Sequence, residues 1–477
     1  MSLENFLYQK LESGLGFSPT ICQQRLFRSL SAFLHSEEHE IFLIEGYAGT
    51  GKTSAVASLV AALNEFEISY VLLAPTGRAA KVLSGYTGVK AYTIHKHIYR
   101  QKTTKEGPGA FSLRQNLNHD TVYIVDEASL ISNGSRESSI FGSGRLLDDL
   151  MEFIKSKRNN KLILLGDPAQ LPPVGLPKSD ALDINVLNLY GNVANASLTT
   201  VVRQAEGSGI LYNATLIREQ ISASDSSFPG LEIPPFTDVE RIGGGELIEK
   251  ISEAFDKYGV DETLVLCRSN KRANRYNDGI RGKILFREEQ LSRGDKLMVV
   301  KNCYQFLEEI EELDFIANGD VAELMKISKY EERYGLKFAE AILKFPDYNN
   351  VEIKAKIILD TLTGESPSLG MEEQRRLFNE VMEDYAHIKG RRKRIMAVRE
   401  DVYFNALQIK FASAVTCHKS QGGQWRCVFI DNPFWGEELS VEDLRWLYTA
   451  VTRATDMLYF VNFDKKFFKR IDKNEED

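Results

Sequence analysis

The chain has 477 residues, 43% hydrophobic and 26% charged, with a net charge of −8 from 59 basic and 67 acidic side chains. That length exceeds one ordinary core and predicts about two to four domains. The acidic balance argues against coating nucleic acid through a broad positive surface, though not against a narrow basic channel. No apolar run reaches the roughly 18 residues of a membrane span, and the opening stretch, 1–17, lacks the apolar core of a signal peptide. Cys22, Cys267, Cys303, Cys417 and Cys427 have no metal-ligand or disulfide spacing, which suits a reducing cytosol and a cytoplasmic location.

In chain order, 1–34 reads as helical with a break at Ser18-Pro19-Thr20, where Thr20 is a candidate cap. Four short apolar runs follow, Ile41–Ile44, Tyr70–Ala74, Val122–Val125 and Lys161–Leu165, alternating with helical stretches. That alternation predicts an α/β fold, a mostly parallel sheet with helices on both faces. Ligands of such sheets bind beyond the C-terminal ends of the strands. A polar motif follows each run directly: GYAGTGKT (46–53), PTGRAAKVL (75–83), DEAS (126–129) and GDPAQLPPVG (166–175). The stretch 101–120 interrupts the rhythm as an inserted hairpin or a loose loop. The Ser- and Gly-rich stretch 133–144 is expected to be mobile.

The α/β pattern resumes over 243–289, with a strand at Thr263–Cys267 and a helix at Asn270–Lys283. Short strands with turns are expected over 294–327, further strands over 331–360, and a helix over 371–389. KGRRKR (389–394) reads as a solvated charge run at a helix end, where cations suit the dipole. Its alternatives are a grip on a DNA backbone or a protein contact. The α/β pattern returns at 411–415, 427–431 and 457–463, so roughly 287–410 reads as an insert in a second α/β domain.

GYAGTGKT fits the phosphate-loop pattern at every fixed position, between a buried strand and a helix. Backbone N–H groups and the helix dipole there favour an anion. Gly46, Gly49, Thr50 and Gly51 shape the loop, Lys52 is placed to reach the β- and γ-phosphates, and Thr53 to help hold Mg²⁺. Asp126, at the end of an apolar strand, is a candidate for the Mg²⁺ water shell, and Glu127 for polarising the attacking water. Gln170 is a candidate γ-phosphate sensor or water-orienting group. Arg203 and Arg453 are candidates to meet developing γ-phosphate charge. Taken singly, each has a plainer reading: a solvated carboxylate pair, a proline-rich turn, a surface arginine. TCHKSQGGQ (416–424) places His418, Lys419, Ser420 and Gln421 at an expected helix start.

Together these motifs, with HKSQG (418–422) and TAVTRA (449–454), resemble superfamily 1 helicases, most of all the RecD-like and Dda-like members of the 5′-to-3′ branch. The resemblance runs from about residue 20 to residue 460, in family order. It implies two RecA-like domains with ATP in the cleft between them, over 1–200 and over 201–286 with 411–477. It also implies a strand-separating pin at about 97–120 and an accessory β-barrel-like domain over 287–410. By matching motifs, Gln23 (or Gln24) resembles the adenine-reading glutamine, and Gly422 falls in a nucleotide motif. Lys52, Thr53, Asp126, Glu127, Gln170, Arg203 and Arg453 resemble the ATP and Mg²⁺ machinery. Pro75, Thr76, Arg78, Thr93, His95, Thr416, His418 and Lys419 fall in motifs that touch single-stranded DNA. The implied activity is ATP-driven, 5′-to-3′ unwinding by a monomer loaded on single-stranded DNA or a 5′-tailed duplex. The alternative is a DNA-stimulated ATPase subunit of a repair or replication complex without strong unwinding of its own.

Overall fold

The computed structural model describes residues 3–101, 111–134, 142–202, 207–303, 305–307 and 315–469. The chain forms two compact units. One comprises Met1–Tyr99, Leu113–Gly243 and Gln421–Asp477, the other Arg100–Ser112 and Gly244–Ser420.

The first unit opens with α1 (Leu3–Ser13) and α2 (Ile21–His35). Thr20 starts α2 through a reciprocal capping box. Its hydroxyl accepts from the Gln23 N–H, and its own N–H donates to Gln23 Oε1 at 2.9 Å. There follow β1 (Ile41–Gly46), α3 (Lys52–Glu65), β2 (Tyr70–Ala74), α4 (Gly77–Thr87), β3 (Tyr92–Thr93) and α5 (Ile94–Ile98). Next come β4 (Tyr99–Gln101), β5 (Phe111–Leu113), β6 (Val122–Val125), α6 (Leu146–Lys155), β7 (Lys161–Gly166), α7 (Ile184–Leu187), β8 (Val193–Leu198), α8 (Gly209–Ala223) and β9 (Val239–Ile242).

Six parallel strands lie in the order β3-β2-β6-β7-β1-β8. Next to the edge strand β8, Phe42 of β1 stands opposite Ile163 of β7 on one side and Ala194 of β8 on the other. Strands covered on both faces must be apolar throughout, which is why the inner four read as continuous runs. On one face Ile44, Leu72, Ile124 and Ile163 pack with Leu59 and Leu63 of α3 and Leu26, Phe27 and Leu30 of α2.

The second unit holds α9 (Leu247–Tyr258), β10 (Thr263–Cys267), α10 (Asn270–Lys283), β11 (Lys296–Val299), β12 (Val321–Arg333), β13 (Leu336–Phe345) and β14 (Val351–Ile358). It continues with α11 (Met371–Asp384), α12 (Arg391–Glu400), β15 (Leu407–Phe411) and β16 (Ala414–Thr416). β17 (Trp425–Asp431), α13 (Val441–Val451) and β18 (Ala454–Val461) belong again to the first unit. Parallel pairs join β17 to β18 and β18 to β9 in the first unit, and β10 to β16 in the second. Strands β11 to β15 close a barrel, antiparallel except where β14 meets β15. Its interior is Leu297, Val299, Leu324, Leu343, Phe345, Ile353, Ile357 and Ile409. Two RecA-like parallel sheets and a small closed barrel thus make up the fold.

Three local expectations are corrected. The helix expected over 371–389 ends at Asp384, and KGRRKR opens the next helix instead of closing that one. Gly390, at φ +99°, makes the break, so Arg391, Arg392 and Lys393 occupy the positive end of α12, where the dipole opposes them. Residues 417–420 form a single 3₁₀ turn, with β17 starting at Trp425, so no α-helix begins there. The interruption at 101–120 carries a two-stranded ribbon of β4 and β5; its tip, 102–110, lies outside the described residues, as do 135–141 of the Ser- and Gly-rich stretch. No helix among the described residues is long and apolar enough to cross a membrane.

Candidate active site

Between β1 and α3 the chain passes through Gly49 at φ +71° and Gly51 at φ +80°, angles that favour glycine. A Cβ on Gly46 would lie 2.6 Å from Lys52 Cγ, so the bare backbone there lets the lysine fold back over the loop. Lys52 Nζ donates to the carbonyls of Gly46 and Tyr47, the latter at 2.9 Å, and stands 4.0 Å from Asp167 Oδ2. Gly51 opens α3 with no side-chain cap, which leaves first-turn N–H groups for an anion. Thr50 is buried and its hydroxyl donates to Tyr47 O at 2.7 Å; Thr53, half-buried, is the second residue of α3. Gln23 is fully buried and its Nε2 donates to Thr50 O at 3.3 Å, so Gln23 rather than Gln24 lies against the loop.

β6 delivers the two carboxylates. Asp126 Oδ1 accepts from the Glu127 N–H at 2.8 Å. Glu127 sits at φ +54°, a left-handed conformation that costs free energy for a non-glycine residue and recurs at functional sites. Burial raises the pKa of Asp126, against the pull of the Glu127 N–H and Lys52. Burial and then the charge of Asp126 raise Glu127, with Arg453 and Lys52 pulling it down. A carboxylate held proton-hungry near two cations has the character of a general base.

β7 ends in the GDPAQ turn. Asp167 Oδ1 accepts from the Ala169 N–H at 3.0 Å, and Oδ2 accepts from the Tyr448 hydroxyl at 2.7 Å. Gln170 is 6% exposed, and its Oε1 is buried with no hydrogen-bond partner among the described atoms. Such an atom is costly unless a ligand or water serves it.

Helix α13 starts at a capping box of Ser440 and Asp443 and presents Tyr448 and Thr449 to the first sheet. Tyr448 Oη also accepts from the Ala48 N–H of the phosphate loop at 2.9 Å. Thr449 Oγ1 accepts from the Leu171 N–H at 2.8 Å, and Gln421 Nε2 donates to Leu171 O at 2.7 Å. Arg453, just past the helix, is buried, and each of its three nitrogens donates one hydrogen bond. Nε donates to Thr449 O at 3.0 Å, Nη1 to Gly423 O at 2.9 Å and Nη2 to Thr452 Oγ1 at 3.1 Å.

Gln23, the loop residues, Lys52, Asp126, Glu127 and Arg453 are therefore gathered at one place, with Gln170 on the neighbouring turn. Gly422 is not on the phosphate loop. At φ +75° it lies against α4, where an added Cβ would stand 3.0 Å from Thr76 Oγ1. Arg203 lies outside the described residues. The contributions of Asp167, Tyr448, Thr449 and Gln421 were not anticipated from the sequence.

Of the DNA-motif residues in the first unit, Thr76 caps α4 and Thr93 caps α5, each accepting a backbone N–H at 3.2 Å. Pro75 precedes Thr76 and is half-buried. Arg78 lies over the Trp425 ring at 3.9 Å and donates to Gln424 O at 3.0 Å. The His95 ring is 5.6 Å from that of Tyr99, and burial pushes its pKa down to about 4, against the charge of Asp149. In the second unit Thr416 ends β16, His418 is exposed, and Lys419 Nζ donates to Asn318 Oδ1. Burial and the nearby Lys410 push Lys419 down to about 8.

A phosphate loop after β1, a buried glutamine after the adjacent β7, carboxylates after β6 on the far side of β7 and an arginine from the second sheet define a phosphate-loop NTPase of two RecA-like sheets. Residues 23–225 match the AAA domain family and 411–461 the UvrD-like helicase C-terminal domain. The ATP-dependent RecD2 DNA helicase of Deinococcus radiodurans is 33% identical over 184 residues, 37% of this chain and 21% of that protein. The ATP-dependent DNA helicase dda of Enterobacteria phage T4 is 24% identical over 59% of this chain and 61% of its own length. An uncharacterized protein of Acanthamoeba polyphaga mimivirus is 22% identical over 92% of this chain and 99% of that protein. Among solved structures, a Bacteroides Pif1 helicase in complex with ADP-AlF3 and ssDNA has 14% identity, covers 95% of this chain and 94% of that one, and gives a TM-score of 0.47. These matches make the chain similar to the superfamily 1 helicases of the RecD- and Dda-like type, a class of ATP-dependent enzymes.

Proposed function

We propose that the chain hydrolyses ATP to move 5′-to-3′ along single-stranded DNA and to unwind duplex DNA ahead of it, as a monomer loaded on a 5′ tail. The observation that carries this reading is the hydrogen-bonded seam at the phosphate site. There Tyr448 and Thr449 of the second sheet's helix bond to Ala48, Asp167 and Leu171 of the first. A site built from two sheets turns nucleotide chemistry into relative motion of those sheets, which is what a translocase needs. Direction along the strand rests on kinship to the 5′-to-3′ branch.

The chain's residues fit a nucleoside triphosphate with a divalent ion. The glycine cradle and the uncapped start of α3 accept phosphate, and the partnerless Gln170 Oε1 awaits a donor. Among the described residues no group of three or more His, Cys, Asp or Glu side chains forms a metal cage. Mg²⁺ would therefore rely on phosphate oxygens and water with Thr53 and Asp126. When bound, Mg²⁺ supplies positive charge against the phosphate oxygens. Lys52 leaves the loop carbonyls for phosphate, Glu127 holds the attacking water and takes its proton, Gln170 orients it, and Arg453 meets the charge that develops. Residues 1–200 form the first RecA-like domain, 201–286 with 411–477 the second, and 287–410 the accessory domain. Pro75, Thr76, Arg78, Thr93, His95, Thr416, His418 and Lys419 line the path of the strand.

The test is strand displacement on duplexes with a 5′ or a 3′ tail, alongside ATPase with and without single-stranded DNA. Unwinding from the 5′ tail alone, and its loss with turnover in Lys52→Ala, is expected. DNA-stimulated turnover without displacement would favour a translocase subunit of a larger complex. Efficient unwinding from a 3′ tail would refute the direction, and unaltered turnover in Lys52→Ala would refute the site.

A further inference from the structure

Tyr448 is fully buried, and both hydrogen-bonding capacities of its hydroxyl are spent across the seam. The O–H donates to Asp167 Oδ2 at 2.7 Å, and the oxygen accepts from the Ala48 N–H at 2.9 Å. Ala48 belongs to the phosphate loop. Asp167 is the carboxylate nearest the parked Lys52 ammonium and heads the turn that carries Gln170, whose N–H donates to Asp167 O at 3.3 Å. One phenol thus holds the loop, the counter-charge of the catalytic lysine and the glutamine turn to helix α13. Phosphate arriving at the loop must disturb this bond set, because Lys52 has to leave both Asp167 and the loop carbonyls.

The same helix leads on to a DNA motif. Past its end Arg453 O accepts from the Trp425 N–H at 2.9 Å. The Trp425 ring lies under the Arg78 guanidinium at 3.9 Å, and Arg78 sits in the first turn of α4. Every step from Ala48 to Arg78 is a hydrogen bond, a helix or a ring contact within the first unit. Covalent continuity carries the step along α13, and the Tyr448 hydroxyl is the single non-covalent link from α13 to both the phosphate loop and Asp167 among the interactions described above.

We propose that Tyr448 is the positioning residue that couples nucleotide occupancy of the phosphate loop to the single-stranded-DNA motif at α4. The inference rests on the helicase reading and deepens it. Coupling between two sites is reciprocal, so a nucleotide that shifts α13 must change DNA affinity, and DNA must change nucleotide affinity by the same factor. Phenylalanine at 448 keeps the ring and its packing and deletes only the link.

The experiment measures binding of a fluorescent single-stranded oligonucleotide by anisotropy, with and without a non-hydrolysable ATP analogue and Mg²⁺. The proteins are the full chain, Tyr448→Phe, Thr449→Val and the control Tyr123→Phe. Tyr123 is an equally buried phenol of the first sheet whose hydroxyl bonds Asn116 at 3.0 Å, away from the seam. The wild-type affinity is expected to change about fivefold or more on adding the analogue. Tyr448→Phe is expected to bring that ratio within about twofold of one while each ligand still binds on its own. Thr449→Val, which breaks the adjacent bond to Leu171, should reduce the ratio in the same direction, and Tyr123→Phe should keep it. A wild-type ratio retained in Tyr448→Phe overturns the proposal, as does an equal loss in Tyr123→Phe, which would mark the effect as general destabilisation. A wild type that binds both ligands without coupling overturns the proposal alone. A wild type that binds neither overturns the helicase reading and the proposal with it.

Discussion

Replacing Arg453 by alanine removes three buried hydrogen bonds and, on the proposed function, one charge that acts in catalysis, and the two losses have different signatures. The guanidinium is 3% exposed and donates to Thr449 O, Gly423 O and Thr452 Oγ1. Hydrogen bonds from a charged donor contribute about 1.5–3 kcal/mol each. Water entering the space left behind recovers part of that, so the folded state should lose on the order of 3–6 kcal/mol. Against a typical total of about 5–15 kcal/mol the variant folds but melts early. Loss of an arginine that meets transition-state charge costs on the order of 10³ in rate, or about 4 kcal/mol at 1.36 kcal/mol per decade. The same charge holds down the pKa of Glu127, which burial and Asp126 push up. Without it Glu127 takes up its proton at higher pH, so the acid limb of the rate profile must move to higher pH. Lysine at 453 should rescue only in part, since an ammonium cannot reach three acceptors as a planar fork does. The assay combines nucleotide titration, single-turnover hydrolysis across pH and thermal melting. ATP affinity within a few-fold of wild type, slow hydrolysis and a shifted acid limb are expected. An affinity that falls in step with the rate would make Arg453 a ground-state binder, and an unmoved acid limb would sever it from Glu127.

Lys419, held down to about 8 by burial and Lys410, should lose its charge as pH rises through that value. Single-stranded-DNA affinity should then fall between about pH 7 and 9, and Lys419→Arg should flatten the fall, because arginine stays charged; an unchanged slope in the variant would free Lys419 of the role. Asp320, in the barrel loop under Tyr348, has its pKa raised from 3.8 to about 7, chiefly by burial. A raised folded-state value means stability present at low pH and lost as pH climbs toward about 7, so Asp320→Asn should flatten the melting curve against pH in that window, and persistence of the slope would place its origin elsewhere. Arg391 and Lys393 face the positive end of α12 with no acidic residue in the first turn. Glutamate at both should raise the unfolding free energy obtained from urea titration by about 0.3–1 kcal/mol per site; a loss of stability would show that those cations have a partner worth more than the dipole term.

The inner four strands of the first sheet were legible because they are covered on both faces, so an apolar run alone locates each one, and each polar motif starts where its run ends; the edge strands β3 and β8, short or half-exposed, carry no such run and were not legible. Gln23 was legible too, through a signal not used to choose it over Gln24. Thr20-Ile21-Cys22-Gln23 is a capping-box spacing, and the box turns the Gln23 side chain into the structure and its amide toward Thr50. The barrel was poorly legible for the opposite reason. β12 runs 13 residues through two register shifts with alternating exposure, and closure depends on a parallel pairing of β14 with β15, which the intervening α11 and α12 hide in the sequence. KGRRKR carries no periodicity of its own, so the helix boundary inside it is set by one glycine angle that a charge pattern does not encode.

Arg78 shows where motif reading stops. Its motif marks it for DNA, yet in this conformation the side chain is laid flat between Trp425 and the chain at Gly423, where a Cβ would come within 2.6 Å of Arg78 Nε. The residue is recognisable within a few positions of its own helix, but its partners are more than 300 residues away, at Gln424 and Trp425. Tyr448 is the same case, with partners at Ala48 and Asp167. Groups that touch a ligand sit beside their strand ends and leave a local pattern. Groups that tie one sheet to the other leave a tyrosine or an arginine in a familiar motif, and their work depends on which distant residue folding brings opposite.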